Sequence, residues 1–221
     1  PWVGDVIKTK LKLNSKDNVR LVRGSHIVVP KLFDHDKCYF FQGTDGRIIF
    51  SIPYEYDFTL IGTTDADHDD IDTKPICSDT ERNYLLNFAS QYFSAEITPD
   101  DVVWSYSGVR PLYDDGMENA SAATRDYVLK LDHNAGTAPL LNIFGGKITT
   151  YRKLAEAAIA EIAVFFPNLK GPWTANSSLP GGNFPVKDVF KLITKLRSDY
   201  SFLSEIRARR LIRAYGLNAW E

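Results

Sequence analysis

Sulfur is scarce in this chain of 221 residues, which has two cysteines, Cys38 and Cys77, and one methionine, Met117. Two cysteines that match no metal-ligand spacing exclude a disulfide framework and a zinc module. They read as reduced, buried small residues, as a reducing compartment would have them. No apolar run approaches the roughly 20 residues that span a bilayer, so any membrane association is expected to be peripheral. Gly-x-Ser-x-Gly and Walker signatures are both missing, which leaves hydrolase and nucleotide-triphosphatase readings without support. Excess charge of one sign is missing too: the net charge of -2 argues against a general polyanion binder. The acidic run Asp65 to Asp72 lacks calcium-loop chemistry, since Asp70 stands where the turn needs glycine and Ile76 where a bidentate glutamate is required. It reads as a solvated acidic loop, and no metal is expected.

What is present is enough apolar residue, 44% of the chain, to build a substantial core. Short β-branched and aromatic runs at 22–29, 39–42, 47–53 and 59–64, separated by turn residues such as Thr44-Asp45-Gly46, predict a sheet. Ser78 and Glu81 form a capping box ahead of Leu85, Phe88, Ala89 and Tyr92 at helical spacing, which predicts a helix over 78–93. Further strands are expected at 102–106, 127–131 and 140–144. Beyond Lys147 the apolar period becomes 3.6, with Tyr151, Leu154, Ala155, Ala158, Ile162 and Phe165 on one stripe and Pro167 ending it. After a loop over 171–185 rich in Gly, Pro and Ser, two tail helices are expected near 186–197 and 202–215. The fold class is α+β: a mixed, largely antiparallel sheet with a flanking helix, a strand-Gly-Gly-helix unit and C-terminal helices.

Several residues stand where chemistry could be done. Phe144-Gly145-Gly146-Lys147 runs an apolar strand through two glycines into a helix, an arrangement that offers free backbone N–H groups and partial positive charge to an anion or cofactor. It is also how an ordinary strand-to-helix turn with a solvated lysine looks. Arg110, in Ser-Gly-Val-Arg-Pro-Leu, is a strand-end guanidinium whose fork suits a phosphate or a developing alkoxide, or a structural ion pair. Arg125 either grips an anion or pairs with Asp126, Asp114 or Asp115. His26 heads an apolar strand, while His35, His68 and His133 lie in polar loops and receive no role. Between Lys187 and Arg213 eight basic residues face three acids, leaving +5 there and -7 elsewhere. That excess reads as the solvated faces of two helices rather than as a nucleic-acid-binding groove, and no nucleic acid is expected as a partner.

Five blocks in order carry a resemblance: Arg23 to Pro30, Ile61 to Asp65, Tyr106 to Leu112, Thr124 to Tyr127 and Phe144 to Leu154. With Leu179-Pro180-Gly181-Gly182 they extend it over nearly the whole chain, which resembles the FAD-dependent, respiratory glycerol-3-phosphate dehydrogenases. The departure is that the family's first flavin motif, Gly-x-Gly-x-x-Gly, does not occur here, so the chain is expected to be a piece of a longer polypeptide. The resemblance implies a remnant of the FAD domain at 1–21, a substrate-binding cap at 22–138, a strand-turn-helix completing the FAD site at 139–170, and the start of a helical region at 171–221. It implies Arg110 and His26 as catalytic residues, with Arg125, Lys147 and Arg110 holding glycerol 3-phosphate. Gly145, Gly146, Lys147, Ile148 and Thr149 would meet FAD. A quinone acceptor, a peripheral place on the inner membrane from the cytoplasmic side, and a homodimer are implied in the same way. An oxidase using oxygen, and a non-catalytic anion-binding module, are the alternatives.

Overall fold

The computed structural model describes residues 1–11, 17–116, 124–134 and 136–221, and Met117 lies outside them. Two compact units divide the chain, Pro1–Phe166 and Pro167–Glu221.

The first unit opens with a short helix, α1 (Val3–Asp5), which runs into a π-helical turn at Val6–Lys10. Its centre is a sheet built on the long strand β1 (Val19–Pro30). On one side β1 pairs with β4 (Phe58–Gly62) and the two-residue β5 (Ala66–Asp67), and β4 continues through β3 (Ile48–Tyr54) to the edge strand β2 (Tyr39–Gln42). On the other side β1 pairs along most of its length with β6 (Trp104–Tyr113). Every pairing is antiparallel, so the sheet is more uniform than the mixed one expected. Strand β6 also runs seven residues past the expected end at Tyr106. Pro111 is tolerated because β6 pairs on one side only, where a missing N–H costs no ladder bond, and Gly108 lies opposite Gly24.

Period-two alternation sorts the sheet's residues onto two faces. One packs on helix α2 (Asp79–Ser90): Ile27, Val29, Ile49 and Ile61 meet Leu85, Leu86, Phe88 and Ala89 in the main core. The capping box forms as predicted, with the Glu81 N–H donating to Ser78 Oγ at 3.3 Å and the Ser78 N–H donating to Glu81 Oε2 at 3.1 Å. The other face stays open and carries Phe40, Phe50, Ile52, Trp104 and Tyr106, all exposed.

A separate hairpin, β7 (Val128–Asp132) and β8 (Leu140–Phe144), leads into the Gly-Gly turn. Lys147 then caps a 3-10 turn, Ile148–Thr150, so that α3 (Tyr151–Ile162) begins four residues after the lysine rather than at it. No residue of α3 is buried within this chain, so the predicted apolar stripe exists but its outer part lies uncovered.

The second unit is a pair of helices, α4 (Val189–Asp199) and α5 (Glu205–Tyr215), closed on Ile193, Leu196, Ala208 and Ile212. Gly181 and Gly216 both take positive φ, and a Cβ on Gly181 would run into the Tyr215 carbonyl and one on Gly216 into the Gly181 carbonyl, which explains the first glycine of the Leu-Pro-Gly-Gly block.

Two expectations are corrected here. Cys38 is exposed, because it leads into the edge strand β2, whose residues largely face solvent, while Cys77 is half-buried; both are free thiols. Burial pushes the Cys77 thiol up. Nor is the acidic run simply solvated: β5 draws it onto β1, Asp67 pairs with Arg20 at 2.8 Å, and His68 is buried with Nε2 3.1 Å from the Thr73 carbonyl.

Candidate active site

Three consecutive residues after β4 organise the site. Thr64 turns inward, where its hydroxyl donates to buried Glu81 Oε1 at 2.7 Å. Glu81 also accepts from Ser25 Oγ at 2.8 Å, Arg23 Nη2 at 2.9 Å and Ser78 Oγ at 2.8 Å. Burial opposes the charge of this carboxylate, but these bonds from Thr64, Arg23, Ser78 and Ser25 outweigh it and lower its pKa to about 2. The helix cap is thereby tied to β1 and to the chain just ahead of Asp65.

Asp65 faces the other way and receives both candidate arginines. Arg110 Nη1 donates to Oδ1 at 2.9 Å, and Arg125 Nη2 donates to Oδ2 at 3.0 Å. The second Arg110 nitrogen, Nη2, donates to Thr63 Oγ1 at 3.1 Å. So Asp65 is a partner of Arg125 that the sequence did not suggest, and Arg110 lies inside β6 rather than at its end. One carboxylate between two guanidiniums leaves the trio with net positive charge, which suits an incoming anion.

His26 lies on the same open face, two residues along β1 from Gly24. Its ring stacks on Tyr106 with centroids 4.9 Å apart and planes at 6°, and its edge covers Gly62, where any Cβ would collide with it. Burial first, and then the charge of Arg110, push its pKa below 6.5, so the imidazole is neutral at pH 7. Its Nδ1 is buried and has no hydrogen-bond partner among the described residues. Between His26 and Arg110 the floor is glycine. The Arg110 guanidinium lies over Gly24, and the space above Gly108 is open.

The Gly-Gly turn approaches this group through its backbone. Gly145 and Gly146 take φ of 68° and 101°, and a Cβ at Gly145 would sit 3.1 Å from the Asp126 carbonyl and 3.7 Å from that of Pro111. Those carbonyls belong to the neighbours of Arg125 and Arg110, so turn and arginines share one place. Lys147, Ile148 and Thr149 are exposed beyond the turn, and Ile148 is 88% exposed. This is a wall that a flat cofactor can lie against: glycines with open backbone, an adjoining cation and an uncovered apolar side chain. Sequence reasoning missed Asp65 and Glu81 as parts of the site. Their only signals were the Thr-Thr-Asp that closes β4 and the capping box itself.

A neutral imidazole, a carboxylate-bridged arginine pair and a glycine turn thus meet on the rim of an antiparallel sheet, and the chain that carries them is of the FAD-dependent oxidoreductase class. Residues 1–152 match the model of the FAD dependent oxidoreductase family, and the chain belongs to that family. It is 44% identical over its whole length to a glycerol-3-phosphate dehydrogenase of Pseudomonas aeruginosa, and 44% identical over 98% of its length to a D-erythritol 1-phosphate dehydrogenase of Brucella abortus. It spans 43% of the length of each. A crystal structure of the glycerol-3-phosphate dehydrogenase from Bacillus halodurans, complexed with FAD, superposes with a TM-score of 0.74 at 30% identity, over 99% of this chain and 42% of that one.

Proposed function

We propose that this chain is the substrate-binding portion of a longer flavoenzyme that oxidises sn-glycerol 3-phosphate to dihydroxyacetone phosphate and passes the electrons to a quinone. The observation that carries the reading is the meeting of Arg110 and Arg125 at Asp65, on the face that also presents a neutral His26. Arg125, with Lys147 or Arg110, holds the phosphate, since guanidinium forks match its oxygens. His26 takes the proton of the C2 hydroxyl, for which its lowered pKa keeps it free, while Arg110 stabilises the alkoxide character that builds on that oxygen. FAD, when bound, supplies the hydride acceptor, and Gly145, Gly146, Lys147, Ile148 and Thr149 would lie along it. The cap boundaries expected from the sequence, 22–138 with 139–170 completing the FAD site, belong to the same proposal.

No helix among the described residues is long and apolar enough to cross a membrane. A peripheral place on the inner membrane, from the cytoplasmic side, is part of the reading through the family resemblance. A homodimer is part of the reading through the family resemblance.

A longer polyol phosphate is a second reading, favoured by the equal identity to the erythritol-phosphate enzyme. The test is an anaerobic visible spectrum of the full-length protein during addition of glycerol 3-phosphate or erythritol phosphate. Bleaching by the first at lower concentration is the expected result. Bleaching only by the second moves the assignment to the longer substrate, and no bleaching by either removes it. Hydrogen peroxide formed under air without added quinone would identify oxygen as the acceptor instead.

A further inference from the structure

We propose that Asp65 is a positioning residue that sets the spacing and direction of the Arg110 and Arg125 guanidiniums, so that both converge on one anion. The proposal rests on the reading that these arginines hold the substrate's phosphate. Arg110 and Arg125 come from places with no local reason to meet, a position inside β6 and a segment just before β7. Two cations brought side by side repel, and each side chain has four rotatable bonds with which to move away. Asp65 counters this by placing one oxygen on each, at 2.9 and 3.0 Å, with only 19% of its own side chain exposed. Arg110 is held at a second point, Thr63 Oγ1. Asp65 is itself held in place: the preceding Thr64 is bonded to Glu81, and its hydroxyl accepts the Ser25 N–H at 2.9 Å, which anchors the segment to the central strand.

A purely electrostatic view of Asp65 makes the opposite forecast. A carboxylate beside an anion site repels the anion, so its removal should tighten binding. Positioning and repulsion therefore differ in sign, and the substitution decides between them. In the full-length protein carrying FAD, calorimetric titration with inorganic phosphate compares the wild type with Asp65→Asn and Asp65→Glu. The expected result is about tenfold or greater weakening in Asp65→Asn with the flavin spectrum unchanged, and partial recovery in Asp65→Glu. In an Arg125→Ala background the Asp65→Asn loss should shrink, because half of what Asp65 positions is gone.

Phosphate binding that is unchanged or tighter in Asp65→Asn overturns the proposal, as does a loss of undiminished size in the Arg125→Ala background, or a wild type that takes up no phosphate. Where Asp65→Asn fails to retain FAD, Asp65→Glu decides: binding weakened about threefold supports positioning, and wild-type binding refutes it. Substrate bleaching of the wild-type flavin is read separately. Asp65-dependent phosphate binding in a protein that neither substrate bleaches would refute the proposed reaction and keep the positioning role.

Discussion

Glu81, in α2, holds Thr64, and the next residue, Asp65, holds the two arginines, so the surroundings of the two carboxylates divide structural from chemical work. Glu81 is buried, accepts hydrogen bonds from Arg23, Ser25, Thr64 and Ser78, and serves at once as cap of α2 and as anchor of β1. Its pKa falls from 4.5 to about 2, so its charge contributes stability that is complete above pH 4.5 and is lost as pH drops through 2. A shift of that size corresponds to about 3 kcal/mol. Chemical denaturation of the chain between pH 7 and pH 2 should show this acid limb, and Glu81→Gln should both lower stability at pH 7 by about 2–4 kcal/mol and flatten the limb. An acid limb of the same height in Glu81→Gln would show that other carboxylates carry it.

At the scale of elements, the open face works because β1 and β6 put glycines opposite each other where side chains must pass. The Arg110 guanidinium occupies the space that a Cβ on Gly24 would fill. Gly24→Ala should leave the fold nearly as stable, because the atom in the way is the far end of a flexible side chain, yet swing Arg110 off Asp65. The measurable outcome is a substrate KM raised about tenfold or more in the full-length enzyme, with a melting temperature within about 3 °C of the wild type. A large loss of stability with unchanged KM would place the role of Gly24 in the strand pairing itself. The elements were legible where the signal is local. The Thr44-Asp45-Gly46 turn delivers β2 to β3 with Gly46 at φ 79°, and the Ser78 box opens α2. The length of β6 was not, because Gly108 and Pro111 read as breakers until an edge position and a facing Gly24 make them harmless. Asp65 was illegible as a site residue for a different reason. Its partners lie 45 and 60 positions away, and only the folded sheet brings them to it.

The whole molecule shows the same limit. Composition and periodicity read correctly as the α+β class, but which sheet face is covered cannot be read from alternation when both faces are apolar. Ile27, Val29, Ile49 and Ile61 meet α2, whereas Phe40 and Trp104 on the opposite face remain 58% and 54% exposed. Helix α3 adds an uncovered apolar stripe, continued by Val164 at 78%. An aromatic surface of this kind on one sheet face, whose outer edge strand β2 is itself open, exceeds what a stable monomer usually leaves in water. The 221-residue chain by itself should therefore self-associate, with a sedimentation coefficient that rises with protein concentration. Trp104→Glu and Phe40→Glu together should return it toward the monomer without altering the core on α2, since both side chains project from the open face. A chain that stays monomeric across the micromolar range, or that associates equally in the double variant, would mean that this face is not the adhesive one, and the stripe on α3 becomes the surface to substitute next.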